Sequence, residues 1–216
     1  MIWRIRAPRA TVALALALAG AVAAGCSSAS SSSTPHPNPM ATAKTIGVTG
    51  KNTVLVLGAS TVQALKNAGV RVSPVSPATV TSNGAVLPGS AAPSGAFSFP
   101  VTSGTLTRAG LKGQITHSGG LKFTHSGKTV TATHFVLSTT RGVLSATVNG
   151  KSIPLFAISL AKMIPVPFGS EIVASGITST ATTSAAVLLD ERLAVKVFAK
   201  GLPTGTLTAY ITGKPA

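Results

Sequence analysis

Residues 44–216 predict a mainly β domain, an antiparallel sandwich or barrel-like arrangement with one or two short helices. Three observations carry this. Short runs of Val, Ile, Thr and Leu alternate with polar residues at a period of two, Gly, Pro and Ser punctuate the runs, and only two stretches have helix-like spacing. The first 43 residues are of a different kind: an apolar leader over 1–25, then a Ser/Pro-rich tether over 26–43 that lacks the apolar content to pack.

Taken in order, residues 53–57 read as a strand, and residues 59–67 as a short helix in which Val62 and Leu65 lie three apart and Gly69 can close the last turn. Residues 70–72 resume the strand pattern before Pro74 and Pro77. In the centre, residues 113–117 and 121–125 are joined by Ser118-Gly119-Gly120, and Ser126-Gly127 leads into 128–138, so a three-stranded meander is expected. A two-residue turn at Ser126-Gly127 sets Phe123 opposite Val130 and His125 opposite Lys128. That register gathers Leu121, Phe123, Val130, Ala132, His134 and Val136 on one face, which buries more apolar surface than the alternative one residue away. Residues 143–148 and 152–160, turned at Asn149-Gly150, supply a further hairpin. Residues 182–192 read as a second helix, 194–198 as a strand and 207–212 as the last one. Two helix-then-strand units thus bracket the central β region as a loose pseudo-repeat.

The leader carries Arg4, Arg6 and Arg9 with no acid, then an Ala/Leu/Val run too short to span a bilayer permanently. It ends at Cys26, the only cysteine, so no disulfide can form within the chain. Val22-Ala23-Ala24-Gly25-Cys26 resembles the lipobox of bacterial prolipoproteins, with Ala23 where that motif more often has Leu. The resemblance implies cleavage after Gly25, an acylated Cys26 and a domain held to the outside of the cell membrane by its lipid. An ordinary secretory signal cut nearby would instead leave Cys26 a free thiol. Random-coil scaling gives the tether a reach of roughly 20 to 25 Å, enough to hold a domain just clear of the head groups.

Eighteen Lys and Arg, three of them before Cys26, face three acids, so the chain from Cys26 onward carries +12, and no acid precedes Glu171. Such a field draws a protein toward anionic lipid head groups or wall polymers and weakens with salt, although lysines merely solvated over a Thr/Ser-rich surface would give the same count. Nucleic acid is not an expected partner, because the leader directs export and aromatic residues, at 4%, are too few for stacking platforms.

Catalytic chemistry finds no foothold. Glu171 stands alone, and Asp190 and Glu191 are neighbours whose side chains diverge on a helix. No HExxH, CxxC, Gly-x-Ser-x-Gly, Walker or Gly-x-Gly-x-x-Gly pattern occurs. His117, His125 and His134 lie in the meander, but two strands separate His117 from His134. Donors must meet a metal at about 2 Å, so structural or rim histidines are expected and no metal site.

The order of Phe97-Ser98-Phe99-Pro100-Val101, Gly113-Gln114-Ile115-Thr116-His117-Ser118-Gly119-Gly120-Leu121 and Val143-Leu144-Ser145-Ala146 resembles the HtaA-type domain of actinobacterial surface proteins. The likeness covers about residues 95–160 well and the flanking units loosely. It implies a predominantly β fold with short helices, an association with haem uptake, and a motif histidine at His117. Haem-binding members carry a tyrosine ligand in an N-terminal Trp- and Tyr-containing segment. Here Trp3 lies in the leader and Tyr210, the only tyrosine, lies near the other end. The sequence therefore points to a membrane-anchored extracytoplasmic lipoprotein with a non-catalytic binding or envelope role and no resident cofactor. The alternative is a haem-binding module that uses His117 or His134.

Overall fold

Among the described residues, residue alternation is carried into twelve strands of one continuous antiparallel sheet with two helices. They run β1 (Thr45–Leu57), α1 (Ala59–Asn67), β2 (Arg71–Val75), β3 (Thr79–Val80), β4 (Ala96–Thr107), β5 (Gly113–His117), β6 (Gly120–His125), β7 (Lys128–Ser138), β8 (Val143–Val148), β9 (Lys151–Ser159), β10 (Ile164–Phe168), β11 (Glu171–Ala181), α2 (Thr183–Leu193) and β12 (Pro203–Pro215). This computed structural model describes residues 44–81 and 95–215; the leader, Cys26, the tether and His36 lie outside the described residues.

Eight strands close into a barrel in the order β7-β5-β4-β1-β12-β11-β9-β8, with β8 returning to β7. The remaining strands hang on this frame: β6 and then β2 beside β7, β3 on β4, and β10 on β11. A barrel of this size has an interior just wide enough for side chains to fill. Here Ile46, Leu55, Leu106, Ile115, Leu137 and Ile211 are among those that fill it.

Both helices sit over one end. Thr61 of α1 donates its hydroxyl to the Pro203 carbonyl, tying the helix to the start of β12. Thr182 is the N-cap of α2: its side-chain oxygen accepts the Ala185 N–H at 3.0 Å while its hydroxyl donates to the Pro154 carbonyl at 2.5 Å. A cap of this kind contributes about 1 kcal/mol. Leu65 of α1 and Leu189 of α2 bury against Leu57, Phe123 and Phe156, so the apolar faces of both helices stopper the barrel.

Several sequence expectations hold. The first helix has the bounds read from Val62, Leu65 and Gly69. The β8–β9 hairpin turns at Asn149-Gly150, and β6 pairs β7 with Phe123 opposite Val130 and His125 opposite Lys128. The meander does not hold. Both β5 and β6 run antiparallel to β7, so they are two halves of one strand path interrupted at Ser118-Gly119, and Ser118-Gly119-Gly120 is a bend instead of a hairpin turn. Three residues there (117–119) oppose two on β7 (134–135), which shifts the register by one. β7 itself bulges against its other neighbour, where His134 and Phe135 together oppose Ala146 of β8, with His134 left-handed (φ 52°). Beyond that bulge the parity of β7 reverses. Phe135 and Leu137 point inward, His134 is exposed, and neither His134 nor Val136 joins the buried face with Val130 and Ala132.

Residues 194–198 also differ from expectation, forming no strand. Ala194 ends α2 in a left-handed conformation (φ 55°), and the Asp190 carboxylate accepts the N–H groups of Val197 (3.1 Å) and Phe198 (3.0 Å), folding the segment back on the helix. Its donors are spent on that carboxylate, so they are not offered to a ladder.

Candidate functional site

Of the residues singled out by sequence, His117 is the one the fold builds around. It ends β5 at the bend, opposite Val101 of β4, and is 2% exposed. The β7 bulge withdraws the Phe135 carbonyl from regular pairing, and His117 Nδ1 lies 3.2 Å from that oxygen. A carbonyl can only accept, so Nδ1 carries the proton and donates. Nε2 is then the acceptor, and the Thr53 hydroxyl of β1 donates to it at 2.7 Å. The ring is held as one neutral tautomer. Burial agrees, lowering the His117 pKa from the ordinary 6.5 to about 4 against a smaller opposing effect of the Phe135 hydrogen bond. Phe99, opposite Thr53, meets Phe135 edge-on with ring centroids 5.0 Å apart. His117 therefore ties β1, β5 and β7 together.

The glycines of the motif have a packing role. Gly119 is left-handed (φ 81°), and a Cβ on it would collide with the backbone of Ala78 and lie 2.9 Å from the Val75 carbonyl oxygen. Gly120 sits between β2 and β7, where a Cβ would overlap the Ala132 carbonyl.

The other histidines are separate from this site. His134 is exposed on the outer surface, where Nδ1 lies 3.1 Å from the Thr133 hydroxyl. His125 lies beside Gly69, its Nε2 3.2 Å from the Ser126 hydroxyl and its Nδ1 enclosed with no protein partner. Among the described residues no three His, Cys, Asp or Glu side chains come together as a metal centre. Sequence reasoning missed Thr53 as the partner of His117. The two are 64 residues apart, and only barrel closure joins them.

The eight-stranded antiparallel barrel stoppered by two helices is an HtaA-like domain fold. Among solved structures the chain is similar to the C-terminal domain of HtaA from Corynebacterium glutamicum, with 16% identity and a TM-score of 0.53, covering 78% of this chain and 99% of that one. It is also aligned with the haem-binding protein HtaB from Corynebacterium glutamicum, at 8% identity and a TM-score of 0.45, over 79% of this chain and 96% of that one. No family model and no curated protein matches.

The residues around His117 do not fit an iron-bound haem. The Nε2 lone pair is used by Thr53 and Nδ1 by Phe135. The apolar cavity under the helices measures about 30 Å³, whereas ligand pockets start at about 300 Å³. Tyr210 stands on the outer face of β12, opposite Asn52 and Val173.

Proposed function

We propose that this chain is an envelope lipoprotein whose HtaA-like barrel binds anionic surfaces through its exterior and performs no catalysis. The observation that carries this is the exposure of its charge. Every Lys and Arg whose side chain is described is exposed. Among the acids, Glu171 is paired with Lys51 and Asp190 is occupied by backbone donors, which leaves Glu191 exposed with no described partner. The filled barrel interior supports a binding role for the outside.

Two measurements test this. Replacing Cys26 by Ala should release the protein from membranes or block its maturation; a variant that stays in the membrane fraction through high-salt washing sinks the anchor. The unlipidated chain should bind vesicles containing phosphatidylglycerol at low salt. That binding should fall at least roughly tenfold as the Debye length shortens from about 30 Å to about 8 Å. Binding indifferent to salt would mean that a specific pocket does the recognising.

Haem is the second reading, favoured by the shared fold. His134 is the histidine placed to meet iron without disturbing the barrel, being exposed and bonded only locally. On this reading, haemin titration gives a saturable Soret shift that His134→Ala removes. Absence of saturable binding at micromolar haemin eliminates haem and leaves the surface-binding reading in place.

A further inference from the structure

We infer that the outer wall of the barrel around the β10–β11 hairpin, together with the basic end opposite the helices, is a membrane-docking face; this deepens, and rests on, the envelope reading above. The hairpin is unusual for a soluble surface. Ile164 (61%) and Val166 (50%) are the most exposed large apolar residues on it, and Pro165 and Pro167 between them are exposed as well. Val166 pairs with Val173, and Val173 with Tyr210, while Ile172, Ala174, Ala209 and Ile211 point inward. Directly paired residues share a face. Val166, Val173 and Tyr210 thus form one row on the outside, and Tyr210 (37% exposed) supplies the amphipathic ring favoured at a lipid–water boundary.

The occupant of this face is a lipid surface and not another strand. Prolines cannot donate, so the ladder donors of β10 are at 164, 166 and 168, and the prolines turn hydrogen-free nitrogens to the open edge. That edge is blocked against a further strand, which leaves side-chain burial as its way of meeting a partner.

Charge and connectivity point the same way. The Arg108 N–H donates to the Lys44 carbonyl, and Thr139 N–H to that of Gly113, gathering Lys44, Arg108, Lys112 and Arg141 at this end. Glu171 pairs with Thr212, and Thr212 with Thr49, so the hairpin tip stands beside the first half of β1. Glu171, the one described acid here, is paired with Lys51, whereas Asp190 and Glu191 lie on α2 at the opposite end. The chain also enters the barrel at Lys44, where the tether from Cys26 delivers it.

The test uses residues 26–216 with Cys26→Ser, so that acylation plays no part, and vesicles of phosphatidylglycerol and phosphatidylcholine in equal parts. Ile164→Ser combined with Val166→Ser should weaken vesicle binding about tenfold with Tm unchanged, since both side chains are exposed. Val187→Ser, an equally exposed apolar site (50%) on α2, should leave binding as it is. A second readout needs no mutation. Trp3 lies in the leader, so Tyr210 is the sole source of tyrosine or tryptophan emission in this chain, and lipids brominated on their acyl chains should quench it on binding. Full affinity in the double variant, or unquenched Tyr210 on bound vesicles, overturns the docking face while leaving salt-dependent attraction and the Cys26 anchor untouched. Sedimentation showing a wild-type dimer that the double variant dissolves would overturn it in favour of self-association.

Discussion

Replacing His117 by Ala is expected to destabilise the barrel by about 3 to 4 kcal/mol, a fall in Tm of roughly 10 °C. Three losses combine: the imidazole volume at a 2% exposed site, the acceptor for the Thr53 hydroxyl, and the donor to the Phe135 carbonyl. A buried polar group left unpaired costs more than a hydrogen bond adds, because its desolvation is no longer compensated. A double-mutant cycle with Thr53→Val should return a coupling of about 1 kcal/mol, and additivity would mean that the Thr53–His117 bond contributes nothing.

The same residue makes stability pH-dependent. His117 titrates near 6.5 unfolded and at about 4 folded. Between these values the unfolded chain binds more protons, so stability is complete above pH 6.5, declines as pH falls, and is down by about 3 kcal/mol below pH 4. With three acids in the whole sequence, carboxylates contribute little of the usual acid denaturation, and the His117 step should be visible in urea melts. A His117→Asn variant that keeps the wild-type slope would assign the step elsewhere.

Gly120→Ala carries an expected effect at least as large. Its Cβ would overlap the Ala132 carbonyl oxygen of a ladder partner, and backbone held from both sides by β2 and β7 cannot move aside as a flexible side chain would. We expect a loss of more than about 3 kcal/mol, or failure to accumulate folded protein. Gly127→Ala is the matched control. Gly127 is left-handed (φ 78°) but has open space around its Cβ direction, so only the conformational strain of about 1 to 2 kcal/mol applies. Equal Tm values for the two variants would refute the close-approach explanation of the Gly119-Gly120 pair.

Features that a local pattern can encode were legible before any fold was known. Period-two alternation gave the β class, three-residue spacing and Gly69 gave α1 to its ends, and Asn149-Gly150 gave the β8–β9 turn. The +12 charge from Cys26 onward was likewise legible, because it depends on composition alone. The remaining features depend on contacts between distant segments. Whether Ser118-Gly119-Gly120 reverses the chain or bends it depends on which strand β5 meets, and β7 accepts both β5 and β6 along its length. The left-handed bulge at His134 then inverted the inward face of β7, an outcome that alternation cannot report because one extra residue exchanges every side chain beyond it. Whether His117 is a structural or a rim histidine was decided by closure, which brought Thr53 to its ring, and β1 found β12 across some 150 residues. Such pairings are fixed by the packing of the whole barrel, since no short stretch of chain contains both partners.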